Sequence, residues 1–151
     1  MNADAPVTRN SSTDRGPREA TLPGGVELTL PASPGAPMLA RRAAADALAA
    51  WTVERREIVV LVISELVTNA VRHGSTSPAD EVKVIVRRRG RATRIEVRDH
   101  GTGYRTLHAS RTDPAHARSG WGLPIVEELT DRWGVEAHEG RTVVWCEIDD
   151  V

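Results

Sequence analysis

Glu65 and Asn69 stand four positions apart in an apolar, helix-forming stretch, and their side-chain types could do chemistry together. At 1.5 Å per residue, a carboxylate and a carboxamide would share one stripe of a helix, about 6 Å apart along its axis. A carboxamide oxygen can ligate Mg²⁺, and a carboxylate one turn away can take a proton from a hydroxyl group. Arg72 extends the same stripe. A solvated helix flank would show the same pair, so the spacing alone leaves both interpretations open.

A second candidate lies where Asp99 ends an apolar, strand-like segment and is followed by Gly101 and Gly103. An ionised carboxylate only accepts hydrogen bonds, so at the floor of a pocket it suits an exocyclic amino group. The paired glycines allow the backbone to approach a ligand closely. The same Asp-x-Gly-x-Gly pattern is also common turn chemistry, which is the alternative interpretation.

A third candidate is a glycine-rich turn that opens the last predicted helix. The unpaired N–H groups of a helix N-terminus attract anions, especially where glycines leave them uncovered. An ordinary loop before a helix is the alternative. No Gly-Lys-Ser/Thr follows, which excludes a P-loop, and the glycines do not follow the first strand of a βαβ unit, which excludes the dinucleotide fingerprint. The turn consists of Arg118, Ser119, Gly120, Trp121, Gly122 and Leu123.

Hydrophobic periodicity indicates the elements that must position these candidates. Thr52 is the expected N-cap of the helix that carries Glu65, and Gly74 lies just past its expected end. The order of elements predicts a two-layer α/β sandwich, with a mixed, mostly antiparallel sheet and helices on one face. The predicted elements are a strand at 26–30, helices at 38–51 and 54–72, strands at 81–89 and 93–99, an irregular stretch at 100–119, a helix at 123–132 ended by Trp133 and Gly134, and strands at 135–138 and 142–148.

Apolar residues at regular spacing predict which faces are buried. The expected buried positions are Val59, Ile63, Leu66, Val67 and Ala70 on the second helix, Val82, Val84, Val86, Ile95 and Val97 on the strands, and Trp51, Trp133 and Trp145 in the core.

Composition excludes several classes of protein. The chain has 151 residues, enough for one domain, which we expect at 25–151 after a polar, flexible leader at 1–24. Its 20 basic and 21 acidic residues give a net charge of -1, which argues against direct nucleic-acid binding through a broad basic field. No apolar run is long enough for a membrane span, and the N-terminus has no signal core. The single cysteine, Cys146, fits a reducing cytoplasm.

Together, the three segments resemble the N, G1 and G2 boxes of the GHKL ATPase/kinase superfamily. The matching stretches are ELVTNAVRHG (65–74), VRDHGTG (97–103), RSGWGLPIV (118–126) and the closing 132–148. More narrowly, the chain is similar to bacterial anti-sigma-factor serine/threonine kinases and their small single-domain actinobacterial relatives. The resemblance covers about residues 26–148 and implies the Bergerat, histidine-kinase-like ATPase fold.

The resemblance also implies roles for the first two segments. In the kinase branch, the residue at Glu65 is the general base on the acceptor hydroxyl, and the residue at Asn69 holds the Mg²⁺ that bridges the ATP phosphates. The acid at Asp99 contacts the adenine amino group, and Gly101 and Gly103 shape the adenine pocket.

For the third segment, the resemblance implies a phosphate cradle made by Gly120, Gly122 and the backbone at Trp121 and Leu123, under a lid at 104–119. Pro124, in the first turn of the helix, lacks an N–H and removes one donor from that cradle. The basic residues expected near the nucleotide are Arg72 and Arg118, with Ser119 beside them. Arg105 and Arg111 are candidates for neutralising phosphate charge, but a solvated basic loop is the favoured interpretation of those two.

The function that follows from the resemblance is a cytoplasmic, ATP- and Mg²⁺-dependent serine/threonine protein kinase that acts as an anti-sigma factor. It would sequester a sigma factor and phosphorylate an antagonist protein, and relatives of this kind commonly form homodimers. The alternative is a nucleotide-gated regulatory module without significant kinase activity. Coupled ATPases of the chaperone or gyrase type need further domains, for which this chain has no residues left.

Overall fold

The computed structural model describes residues 16–74, 77, 79–100, 109–110, 123–138 and 140–150. Within these ranges, helices pack on one face of a seven-stranded sheet, whose strand order is β1-β2-β3-β4-β7-β6-β5. The strands are β1 (Arg18–Leu22), β2 (Gly25–Pro31), β3 (Glu81–Arg89), β4 (Ala92–Asp99), β5 (Ala109–Ser110), β6 (Arg132–His138) and β7 (Arg141–Asp149). The helices are α1 (Ala36–Ala47), α2 (Val53–Asn69), which continues as a π-helical turn (Ala70–Gly74), and α3 (Pro124–Leu129).

The two-layer α/β sandwich is confirmed, with one correction to the sheet. We expected a mixed sheet, but each strand pair in the described ranges is antiparallel. Short turns join β1 to β2, β3 to β4 and β6 to β7, and strands joined in this way pair antiparallel. Among the described helices, none is both long enough and apolar enough to span a membrane.

The N-terminal strand differs from the sequence prediction. Residues 18–22 fall within the expected leader, yet they form β1 and pair with β2. Their side chains are largely exposed, so the sequence lacks the alternation of apolar and polar residues that predicts a strand. The usable signal is the dipeptide Pro23-Gly24, since Gly24 has a φ of 69° in the two-residue turn.

The central helix, α2, forms as its sequence predicts. The side chain of Thr52 accepts a hydrogen bond from the backbone N–H of Arg55 at 3.4 Å, as expected of an N-cap. Its predicted apolar face is buried throughout, and Val62 is buried with it. The same core contains the predicted strand residues and the three small residues Ala36, Ala40 and Ala44 of α1. Because alanines line that contact, α1 can approach α2 and the sheet closely.

The C-terminal part contains several corrections. The predicted helix at 123–132 ends at Leu129, and Trp133 and Gly134 lie in β6 rather than at a helix end. Arg132 pairs with the carboxylates of Glu147 and Asp149 on β7, and this pairing across the sheet overrides the local helical pattern.

Two further expectations about this region are corrected. The stretch predicted as irregular contains β5 at the sheet edge. Trp133 is buried and Trp51 packs against the core, but Trp145 lies on the opposite face of the sheet, among charged side chains.

Candidate functional site

Asn69 is the last residue of α2 and is buried, with 6% of its surface exposed. Its Nδ2 atom has no hydrogen-bond partner among the described residues. Buried side-chain polar atoms mostly have a hydrogen-bond partner, so an unpaired one marks a position that calls for an explanation. The Nδ2 atom is a donor, so Asn69 can offer it to an acceptor group of a ligand.

The π-helical turn after Asn69 brings the end of α2 against the end of β4. At Gly74, the last residue of this turn, an added Cβ would lie 2.6 Å from Oδ1 of Asp99. That separation is too short for a real contact, so glycine is required at this position. A π turn widens the helix by one residue per turn and is often found at functional sites. The first two predicted segments thus meet in space.

Asp99 is buried, with 2% of its surface exposed, and Thr142 on β7 lies directly opposite it in the strand register. Directly opposite residues of an antiparallel pair place their side chains on the same face. Thr142 is 1% exposed, and its Oγ1 atom has no hydrogen-bond partner among the described residues. An acceptor and a hydroxyl therefore stand side by side, facing the helical layer.

Sequence analysis missed Thr142 as a candidate site residue. A signal was present, because Thr142 occupies an inward position of β7 that continues as Val144, Cys146 and Ile148. A polar residue in such an apolar series is unusual and favours a functional role.

Glu65 lies one turn before Asn69 on α2 and is half-buried. Arg72 lies on the π turn with its side chain exposed. Leu123 is buried and forms the N-cap of α3, and Pro124 takes the first helical position, where its missing N–H breaks no helical hydrogen bond. These positions agree with the elements predicted to carry them.

Part of the predicted site lies outside the described residues. This part comprises Gly101 and Gly103, the basic residues Arg105, Arg111 and Arg118, and the turn residues Ser119, Gly120, Trp121 and Gly122. Of the predicted lid, only the backbone of β5 is described.

Behind Asp99, the opposite face of β4 carries a buried charge network. Glu96 accepts hydrogen bonds from Arg94 at 2.8 Å and from Arg98 at 2.6 Å. Burial alone would raise the pKa of Glu96, but these two guanidinium groups outweigh burial and lower its pKa to about 2. The carboxylate is therefore ionised at neutral pH, and its ion pairs use side chains on the face of β4 opposite to Asp99.

The only cysteine has no chemical role here. Cys146 is buried in the core, and burial raises the pKa of its thiol to about 12. The thiolate is therefore not formed at neutral pH.

Comparison with known proteins identifies the fold family. Residues 30–148 match the family model described as a histidine kinase-like ATPase domain. The chain belongs to this family. The match spans Asn69, Asp99 and Thr142 and the elements that carry them. A histidine kinase-like ATPase domain binds ATP, so ATP is the ligand that membership of this family implies.

Curated relatives give a narrower similarity. The chain is 33% identical over 100 residues to the anti-sigma F factor of Anoxybacillus flavithermus, covering 61% of this chain and 68% of that protein. It is 33% identical over 97 residues to the anti-sigma F factor of Clostridium acetobutylicum, covering 60% and 66%. It is 32% identical over 108 residues to that of Geobacillus stearothermophilus, covering 64% and 74%.

A metal ion at this site would need coordinating atoms from the bound ligand as well as from the protein. Within the described ranges, no group of three His, Cys, Asp or Glu side chains could hold a metal ion. By its chemistry, Asn69 suits a Mg²⁺ ion that would arrive with ATP, because a carboxamide oxygen is a hard ligand and the phosphates would offer the others. Its unsatisfied Nδ2 atom is a hydrogen-bond donor and would instead face an acceptor of the ligand.

Proposed function

We propose that the protein is an ATP-binding serine/threonine protein kinase that acts as an anti-sigma factor. It would bind a sigma factor and transfer the γ-phosphoryl group of ATP to a serine or threonine of an antagonist protein. Membership of the histidine kinase-like ATPase family and the similarity to anti-sigma F factors support this proposal. Partners of this kind act in the cytoplasm, where we also place the protein, and we expect it to work as a homodimer.

The observation that carries the proposal is the position of Asn69, buried at the end of α2, from which the π turn leads to Gly74 against Asp99. An ATP-bound Mg²⁺ ion held at Asn69 would neutralise charge on the phosphates, which is the main requirement of phosphoryl transfer. The side chain pointing inward at the end of a rigid helix would fix where the phosphates lie.

Asp99 and Thr142 supply the other end of the site. A carboxylate accepts a hydrogen bond from the exocyclic amino group of adenine, and a hydroxyl can both donate and accept. Both residues are buried on paired strands, so their side chains would need to move little when adenine binds to them.

Glu65 is the residue we propose as general base. It precedes Asn69 by one helical turn, so a hydroxyl positioned beside the phosphates would be within reach of a carboxylate on the same stripe. Its half-buried position leaves it accessible to a protein substrate.

Calorimetry and a transfer assay test this division of roles. Asn69→Ala is expected to weaken Mg²⁺-dependent ATP binding at least tenfold, since it removes a buried ligand to the ion. Glu65→Gln is expected to bind ATP as the wild type does, yet to lose at least 100-fold in phosphoryl transfer to the antagonist. Glu57→Gln is the matched control, because Glu57 is an exposed glutamate on the same helix.

The outcomes separate the two functions kept open by the sequence. Unchanged ATP affinity in Asn69→Ala contradicts the proposed site. Normal sigma-factor binding controlled by ATP, with no transfer in the wild type or in Glu65→Gln, would instead favour the nucleotide-gated module.

A further inference from the structure

The face of the sheet turned away from the helices carries a shallow depression, far from the candidate nucleotide site. We call it the arginine corner. Its volume is about 570 Å³ and it is open to solvent, which suits a segment of a protein partner more than an enclosed small molecule. It lies around Ala92 at the start of β4, while Asp99 ends that strand, which separates the two by about 23 Å at 3.3 Å per residue. Its lining residues are Arg89, Arg91, Ala92, Arg94, Arg132, Trp145, Glu147 and Asp149.

The floor of the arginine corner is held in place by packing. An added Cβ at Gly134 would lie 2.8 Å from the Trp145 ring, so the ring lies directly on the backbone of β6. The guanidinium of Arg94 stands 4.3 Å from the centre of the same ring, a cation–π contact. Arg94 also donates to Glu147 at 3.1 Å. The Trp145 ring is therefore a flat, fixed platform.

The rim of the arginine corner is different, because its arginines retain unused donors. Arg89 is 65% exposed and reaches Glu147 only at 3.8 Å. Arg91, in the turn between β3 and β4, is exposed and has no ion-pair partner in the described part of the chain. Four arginines face two carboxylates in this cavity, leaving two net positive charges on a chain whose total charge is -1.

We propose that the arginine corner docks an acidic segment of a partner protein, with carboxylates pairing to Arg89 and Arg91 and the segment lying beside the stacked Arg94 and Trp145 side chains. Guanidinium groups bind carboxylates through two parallel hydrogen bonds, which gives geometric specificity as well as attraction. A tryptophan beside arginines is also the residue combination that dominates protein–protein hot spots.

Charge distribution favours an acidic peptide over a nucleic acid. Glu147 and Asp149 are interleaved with the arginines, and they would repel a continuous phosphate backbone. The flexible side chains of an acidic peptide place each carboxylate separately, so some can meet the two rim arginines while the others point away from the two acids. The arginine corner uses none of the residues proposed to bind ATP. A result that contradicts this docking proposal therefore leaves the kinase proposal unaffected, and the reverse also holds.

The test uses the full chain and a fluorescein-labelled hexaglutamate peptide, with hexaglutamine as the uncharged probe. We expect saturable binding of hexaglutamate that weakens as salt is added, and no binding of hexaglutamine. The double variant Arg89→Gln, Arg91→Gln is expected to bind about tenfold more weakly, since two charge-assisted pairs are lost. The matched control is Arg41→Gln, Arg42→Gln, which removes two exposed arginines of α1 and should leave the affinity unchanged.

A second measurement locates the bound peptide without relying on a variant. In the wild type, hexaglutamate should shift the indole N–H resonance of Trp145, assigned by its loss in Trp145→Phe. Absence of saturable binding, equal weakening in both double variants, or an unmoved Trp145 resonance would overturn the proposal. Stronger binding of a single-stranded oligonucleotide at the same arginines would replace it with a nucleic-acid site.

Discussion

Gly74→Ala is the most direct test of how α2 and β4 form the candidate nucleotide site. The new Cβ would lie 2.6 Å from Oδ1 of Asp99 and nearer still to Oδ2, whereas ordinary contact begins at 3.4 Å, so the carboxylate must retreat by at least about 0.8 Å. Along a hydrogen bond of about 2.9 Å, that shift lengthens the distance to about 3.7 Å, beyond hydrogen-bonding range. Losing a hydrogen bond to a charged group costs about 1.5–3 kcal/mol. ATP affinity should therefore fall by about 10- to 150-fold.

The assay for Gly74→Ala is calorimetric titration with ATP and Mg²⁺, after a melting curve without nucleotide confirms that the variant is folded. We expect a loss of about 1–3 kcal/mol in stability from overpacking, which leaves a measurable folded population. Gly16→Ala serves as the control, because nothing lies within 4 Å of the added methyl group. A folded Gly74→Ala protein that binds ATP within twofold of the wild type would refute the proposed contact between Asp99 and the nucleotide.

Three further substitutions have distinct expected results. Thr142→Val removes a buried, unsatisfied hydroxyl. In denaturant titration without ATP, the free energy of unfolding of this variant should rise by about 1 kcal/mol, while its ATP affinity in calorimetry should fall several-fold. A fall in both quantities would contradict this expectation. Glu96 has its folded pKa lowered from 4.5 to about 2, so its contribution is present above pH 4.5 and disappears as pH falls towards 2. Glu96→Gln should abolish about 2–3 kcal/mol of that pH dependence in urea titrations between pH 5 and pH 2, and an unchanged profile would show that the network is not coupled to folding. Gly134→Ala pushes a methyl group into the Trp145 ring and should cost about 1–3 kcal/mol, with a change in tryptophan fluorescence. Unaltered stability there would mean that the ring is not packed on β6.

Local periodicity explains why much of the fold is predictable. The bounds of β3 agree with the prediction, and the apolar face of α2 follows from a repeat of 3.6 residues. Thr52 was identifiable as the N-cap because capping depends on neighbouring residues alone. Such features need no knowledge of the rest of the chain.

Features that depend on distant partners were missed. The sequence predicts an end of α3 beyond its actual end, because Arg132 belongs to β6, where it bonds to carboxylates 15 and 17 positions away. Trp145 was expected in the core, yet it lies on the outer face because it alternates with the inward residues Val144 and Cys146, and Gly134 on the neighbouring strand makes room for its ring. Neither partner is visible in a window of adjacent residues.

For the candidate site, the sequence by itself determined which side chains are available and the order of the three segments that resemble an ATP-binding family. It also determined that Glu65 and Asn69 share a helix, since that follows from helical spacing. The tertiary structure decided that Gly74 closes against Asp99 and that Thr142 stands opposite Asp99 on a strand more than 40 residues later. The register of paired strands sets that second contact, and register depends on which faces the whole domain buries rather than on any local pattern.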